Sequence, residues 1–157
     1  ALRSFSGVAR RFELKGEAEG VVEVDDYAHH PTEIEATLRA AREQFPDRRI
    51  WAVWQPHTYS RTRELMDAFA QAFEDADRVI VLPIYAARER DTLGVSAADA
   101  AAAMDHSAVE TVASLGDAVD RLLGGVHSED VVLTLGAGDG DCVGERLLAE
   151  LRLGPYA

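Results

Sequence analysis

At 157 residues, with 47% apolar and 28% charged side chains, the chain has the makeup of a folded globular domain with room for a buried core, not of a disordered or fibrous protein. Sixteen basic against 28 acidic side chains leave a net charge of −12, a surface that repels nucleic acid and anionic lipid, so neither is expected as a partner. The single cysteine, Cys142, excludes an internal disulfide. No apolar run approaches the roughly 20 residues of a membrane helix, and a cytoplasmic location is expected. The opening Ala1-Leu2-Arg3-Ser4 is neither a signal peptide nor an initiator methionine, and reads as a cut from something longer.

Arg10 to Asp25 carries strand-like runs on both sides of Lys15-Gly16-Glu17-Ala18-Glu19-Gly20, which predicts a hairpin whose second arm, Val21 to Val24, enters the main sheet. Ile34, Leu38, Ala41 and Phe45 then recur at helical spacing, with Pro31 where a first-turn proline is tolerated. Ile50 to Trp54 is a continuous apolar run of strand length that takes Trp51 and Trp54 into the core, and Leu65, Met66, Phe69 and Phe73 form a helical stripe behind it. Arg78 to Ile84 is another strand, followed by a long polar loop and the alanine-rich segment Ala97 to Met104. Val109 to Val112 is a short strand, with Val119, Leu122 and Leu123 marking a helix. Val131 to Leu135 is the last strand, with Val143, Leu147, Leu148 and Leu151 behind it. Strands without polar alternation, each followed by an amphipathic helix, predict an α/β three-layer sandwich around a mostly parallel, Rossmann-like sheet with an N-terminal β-hairpin.

Ligands bind open α/β sheets at the carboxyl ends of the strands, which directs attention to four loops. The first, Asp25-Asp26-Tyr27-Ala28-His29-His30-Pro31, crowds two carboxylates, a phenol and two imidazoles into one strand-to-helix turn, more than a turn requires. Adjacent histidines rarely face one ion, and a closed zinc site takes four ligands, so no metal site is assigned. The second, Gln55 to Arg63, offers Ser60 or Thr62 as helix N-cap and joins His57 to Arg61 and Arg63 at a helix start, a place suited to a carboxylate or phosphate. The third, Pro83 to Gly94, is long and dense in charge. The fourth, Gly136-Ala137-Gly138-Asp139-Gly140-Asp141, lacks the third glycine of a dinucleotide fingerprint and reads as a tight turn that lets backbone approach a ligand. Cys142 beside it reads as a small helix residue, and His106 and His127 as exposed turn residues. No G-x-x-x-x-G-K-[ST] occurs, so any ATP phosphates are held elsewhere.

Five stretches, in this order, resemble the C-terminal domain of the Mur ligases: Phe5-Ser6-Gly7-Val8 with Arg10-Arg11-Phe12, Asp25 to Glu33, Gln55 to Thr62, Ile84 to Gly94, and Leu135 to Asp139. The second loop favours the alanine-adding members over the related murein tripeptide ligase, which shares the His-His-Pro turn. The resemblance implies a single domain over residues 1–157, with a central ATPase domain and an N-terminal UDP-sugar domain absent. It implies an ATP-dependent ligase joining L-alanine to UDP-N-acetylmuramate in peptidoglycan biosynthesis, using Mg2+ held mainly by the central domain, the isolated piece being inactive. Tyr27, His29, His57 and Arg61 are expected around the alanine, Arg61 on its carboxylate, and Asp26 on the ATP ribose. His30, Glu89 and Gly138 are further candidates; no catalytic residue and no metal ligand is assigned. Thr58, Pro83 and Asp91 stand where the family more often has a basic residue, an Asp and a Pro. The rivals are a stand-alone module binding a small amino acid or nucleotide, and a metal-dependent hydrolase built on Asp25, Asp26, His29, His30 and His57.

Overall fold

Apolar runs with no polar alternation can bury both faces only at the centre of a sandwich, and that is where they lie. The computed structural model of the chain describes residues 9–91 and 93–154; the Phe5 to Val8 stretch falls outside them. The strands are β1 (Glu13–Ala18), β2 (Val21–Asp26), β3 (Ile50–Trp54), β4 (Arg78–Val81), β5 (Val109–Thr111) and β6 (Val131–Leu135). They form one sheet in the order β1-β2-β6-β3-β4-β5, antiparallel between β1 and β2 and parallel elsewhere. Helices α1 (Pro31–Gln44), α2 (Tyr59–Glu64), α3 (Met66–Ala70), α4 (Ala97–Ala103), α5 (Leu115–Leu123) and α6 (Asp141–Leu153) complete the fold.

Alternation along each strand divides the core in two. Ile50, Ala52 and Trp54 join Val22, Val24, Leu133 and Leu135 against Ile34 and Leu38 of α1 and Phe69 of α3. Trp51 and Val53 join Ile80 and Val132 against Val119 and Leu122 of α5 and Val143 and Leu147 of α6. Both tryptophans are fully buried, on opposite faces, as the strand reading requires. The chain reaches β3, β4 and β5 in turn by way of α1, α3 and α4, then α5 on the other face carries it back to β6, between β2 and β3. That reversal falls at β6, and the carboxyl ends of β2, β6 and β3 beside it are the usual ligand position in such sheets.

Several local expectations are corrected. The hairpin turn is only Glu19-Gly20, both at positive φ (51° and 78°), as a two-residue turn demands; Lys15 to Ala18 belong to β1, which is bulged between Leu14 and Gly16. β4 stops at Val81, because Leu82 still donates to Trp54 O at 2.8 Å but Pro83 has no N–H to continue the ladder. β5 ends one residue early, at Thr111. The stripe from Leu65 to Phe73 is not one helix: Leu65 (φ −104°, ψ 17°) breaks the chain between α2 and α3, α3 ends at Ala70, and Phe73 lies in the turn beyond it. His106 is half-buried: its Nε2 lies 2.7 Å from Ala76 O and its Nδ1 accepts Ala108 N–H, whereas His127 is exposed as expected.

One ionisable side chain sits inside the layer between the sheet and α6. Glu23 on β2 is fully buried, and Gly144 of α6 leaves it room, since a Cβ there would overlap the carboxylate. Thr134 Oγ1 lies 3.0 Å from Glu23 Oε1 and 2.8 Å from Asp25 Oδ1, yet a hydroxyl has one proton. A protonated Glu23 donating from Oε1 to Thr134, which donates to Asp25, accounts for both contacts, while Glu23 Oε2 has no partner among the described residues. Burial, opposed by the Thr134 bond and reinforced by the Asp25 charge, pushes Glu23 up to about 8 from an ordinary 4.5. Between those values the folded chain keeps a proton that the unfolded chain has lost. The stability this group contributes is complete below the unfolded value and is lost as pH rises towards about 8. Glu23→Gln removes that dependence. Denaturant titrations of both proteins from pH 5 to pH 8 are expected to show the variant gaining on the parent by on the order of 1 kcal/mol per pH unit. A constant gap contradicts a neutral Glu23.

Candidate functional site

Register sets the site's floor. Asp26 pairs with Leu135 and Leu135 with Trp54, so β2, β6 and β3 end level and their loops leave the sheet side by side. From the β2 loop come Tyr27, 45% exposed, and His29, whose rings meet edge to face at 5.2 Å. His29 lies 6.1 Å from His57 of the β3 loop. His57 in turn stacks on Tyr85 of the β4 loop, centroids 5.6 Å apart and planes 18° from parallel. Backbone bonds fix that stack, Thr58 N–H to Tyr85 O and Tyr85 N–H to Pro56 O, each 2.8 Å. The β6 turn closes on it: a Cβ on Gly138 would come within 2.6 Å of Tyr85 Cγ and still nearer Gln55 Oε1. The close approach anticipated for the glycine turn is thus made by the protein's own side chains. Gln55 locks that turn, its Nε2 donating to Asp139 Oδ1 at 2.7 Å and its Oε1 accepting Gly140 N–H at 2.9 Å.

The hydrogen bonds assign the imidazole tautomers. Arg61 Nη1 donates to His57 Nδ1 at 3.0 Å, leaving the proton of a neutral His57 on Nε2. His29 Nδ1 lies 3.0 Å from the carbonyl oxygen of Tyr27, to which it donates, leaving Nε2 as an acceptor. The rim therefore offers a donor on one ring and an acceptor on the next. Burial, then the charge of Arg61 and proximity to His29, hold His57 below its ordinary 6.5 despite the opposing pull of Glu89. It is neutral at neutral pH.

Helix α2 is capped by Thr58, not by Ser60 or Thr62; Thr58 holds φ 67° while its Oγ1 accepts Arg61 N–H at 3.3 Å. Glu89 occupies the same helix start, taking the Ser60 N–H at 3.0 Å and the Ser60 hydroxyl, bonds that draw its pKa down. The backbone donors anticipated for an incoming anion are therefore already used. What remains for one is the Arg61 guanidinium, whose other N–H groups make no hydrogen bond within the described residues.

The structure thus gathers Tyr27, His29, His57, Arg61 and Gly138 about one rim. Three other candidates have partners of their own. His30 is the N-cap of α1, its Nδ1 accepting Thr32 N–H and its own N–H donating to Glu33. Asp26 is half-buried, with Oδ1 accepting Ala28 N–H and Oδ2 accepting Phe12 N–H, both at 2.8 Å. Burial raises its pKa against those two bonds. Glu89 serves α2. Cys142 is an exposed residue of α6 whose pKa burial and the neighbouring acids raise. Among the described residues, no group of three or more His, Cys, Asp or Glu is placed to hold a metal ion. No helix there is long and apolar enough to cross a membrane. Sequence reasoning gave no role to Arg10, Gln55 or Tyr85. Arg10 and Tyr85 stand in the family-like stretches and Gln55 opens the second loop, but their letters carry no sign of which neighbours they touch.

Fold and rim together define an α/β domain whose polar and aromatic loops meet at a topological switch point. A model of the Mur ligase glutamate ligase domain matches residues 10–138, and the chain belongs to that family. It is 52% identical over 141 residues to a UDP-N-acetylmuramate–L-alanine ligase of Salinibacter ruber, covering 88% of this chain and 30% of that protein. It is 47% identical over 152 residues to the enzyme of the same name from a Roseiflexus species, covering 97% and 32%. The crystal structure of the UDP-N-acetylmuramate–alanine ligase of Thermotoga maritima superimposes with a TM-score of 0.75 at 28% identity, over 95% of this chain and 31% of that one. The chain spans about a third of the length of the curated relatives it matches.

Two outcomes test this geometry. In the chain's nuclear magnetic resonance spectrum, His57 is expected to titrate below 6.5 and to move up towards it in Arg61→Ala; an unmoved His57 contradicts the pairing. Gly138→Ala is expected to cost about 1–3 kcal/mol in denaturant unfolding, as overpacking does, because its Cβ must displace Tyr85 or Gln55.

Proposed function

We infer that this chain is the amino-acid-receiving domain of an ATP-dependent ligase that joins L-alanine to UDP-N-acetylmuramate. The observation that carries the reading is the meeting of Tyr27, His29, His57 and Arg61 at one rim. Their chemistry is complementary to a small zwitterion. Arg61 supplies a cation for the carboxylate, and the His29 Nε2 lone pair an acceptor for the ammonium group. The names of the relatives supply the substrates.

In the reaction implied by the family resemblance, ATP phosphorylates the muramoyl carboxylate, and the alanine amine attacks the acyl phosphate and releases phosphate. An acyl phosphate hydrolyses if water reaches it, so a domain that closes over it with the amine in line contributes orientation and dryness. Tyr27 and Tyr85, 45% and 37% exposed, leave an aromatic rim suited to being covered. Without a P-loop, this chain leaves the ATP phosphates and Mg2+ to a central domain. Its own contact with the nucleotide is Asp26 at the ribose. Each Asp26 oxygen already accepts one backbone N–H, and each keeps a lone pair to offer a hydroxyl. Gly138 shapes the rim through Tyr85, while His30 and Glu89 hold the starts of the helices that carry it. The location is the cytoplasm, where UDP-sugars and ATP are available.

The isolated chain mixed with ATP, L-alanine and UDP-N-acetylmuramate is expected to release no phosphate, whereas the full-length ligase carrying it does. Turnover by the chain alone sinks the division of labour. In the full-length enzyme, Arg61→Ala is expected to raise KM for alanine at least about tenfold, the loss of one charge-assisted bond, with KM for ATP little changed. An unchanged alanine KM removes Arg61 from the amino-acid site.

A further inference from the structure

Arg10 lies just ahead of β1, in none of the expected contacts with substrate, yet its side chain reaches the turns on either side of the rim. Its Nε donates to Asp25 Oδ2 at 2.9 Å, at the end of β2. Its Nη1 and Nη2 donate to the carbonyl oxygens of Gly138 and Gly136, at 3.1 and 2.8 Å, in the turn after β6. Its guanidinium lies over the Tyr27 ring at 5.3 Å, and its carbonyl accepts Tyr27 N–H at 2.6 Å. The residue holds φ at 62°, a conformation that costs a non-glycine residue free energy and persists where surroundings impose it. The backbone N–H bonded to Glu13 Oε2 at 2.8 Å and the three-way side-chain fork supply those surroundings.

We propose that Arg10 is a positioning residue of the amino-acid site, bracing the glycine turn after β6 against the turn after β2 so that Tyr27, Tyr85 and His57 keep one mutual geometry. The inference rests on the reading of the rim given above. Its contacts follow the site and not the core. One branch ends on Tyr27; the other ends on Gly138, against which Tyr85 packs, and Tyr85 stacks on His57. Asp25, 1% exposed, needs a cation beside it, and Thr134 holds its other oxygen, so the carboxylate is fixed from two sides and anchors the fork. Asp141 Oδ2, 3.8 Å from Nε, adds attraction from the start of α6. A lysine can keep the ion pair with Asp25, but a single ammonium on a flexible stem cannot hold three acceptors in one plane.

The test compares Arg10→Lys and Arg10→Ala with the parent, as this chain and as the full-length ligase, with Arg61→Ala as control. In the spectrum of the chain, Arg10→Lys is expected to shift the Gly136 to Gly140 amides and the His57 ring while leaving the β3 and β4 amides in place. In the full-length enzyme it is expected to raise KM for alanine about tenfold, through the displaced rim, and to leave KM for ATP within about twofold. Chain spectra without change at the rim overturn the proposal. So does an Arg10→Ala enzyme whose activity falls only with its folded fraction and whose KM values are unchanged, the mark of a purely structural residue. If Arg61→Ala raises the alanine KM and Arg10→Lys does not, the positioning role fails. If neither raises it, the amino-acid reading of the rim itself fails.

Discussion

The level ending of β2, β6 and β3 is the constraint on which the site depends. In a parallel sheet the register between strands decides which loops share a height. Here Asp26, Leu135 and Trp54 stand opposite one another. A slip of one residue would turn Trp54 and Leu135 out of their core layer, so packing on the α1 side fixes the level at which the candidate loops begin. The buried tryptophans therefore act at a distance. Trp54 packs against Phe69 and Phe73, ring centroids 4.7 and 5.2 Å apart, and holds the end of β3 from which Gln55 to His57 emerge.

At the opposite end of the strands Asp130 performs the matching task. Burial alone would raise its pKa, but Arg49, the His127 N–H and the Trp51 indole N–H all bind it and together draw it down. Polar pins thus hold both ends of the central strands, Asp130 at one and the Arg10, Asp25 and Gln55 connections at the other. The latter connect parts of the chain up to 128 residues apart, as in Arg10 to Gly138. Such contacts are expensive to leave half-made, because a buried carboxylate without its cation costs more than the pair contributes. That gives the rim a single arrangement and keeps the aromatic groups in register with the sheet.

Much of this was legible in the sequence. Ile50 to Trp54 and Val131 to Leu135 announced buried parallel strands by their unbroken apolar runs, and Pro31 marked the start of α1 correctly. The four candidate loops were visible because strand and helix patterns bracketed them. What the sequence hid is what depends on tertiary approach. Thr58 caps α2 at positive φ, Leu65 breaks the following stripe, and Glu89 fills the helix start, none of which periodicity encodes. Glu23 lies within the predicted Val21 to Val24 arm, and nothing beside it in the sequence signals its burial. Its burial comes from the bare Cα of Gly144, a helix residue 121 positions later in the sequence.

Turns distant in sequence form one surface. Nuclear Overhauser contacts among ring protons in the isolated chain measure this most directly. Cross-peaks between His29 and His57, between His57 and Tyr85, and from Gly138 to Tyr85 are the predicted result. Their absence in a folded chain, with each ring in contact only with its own loop, would contradict a shared rim and the ligase reading built on it.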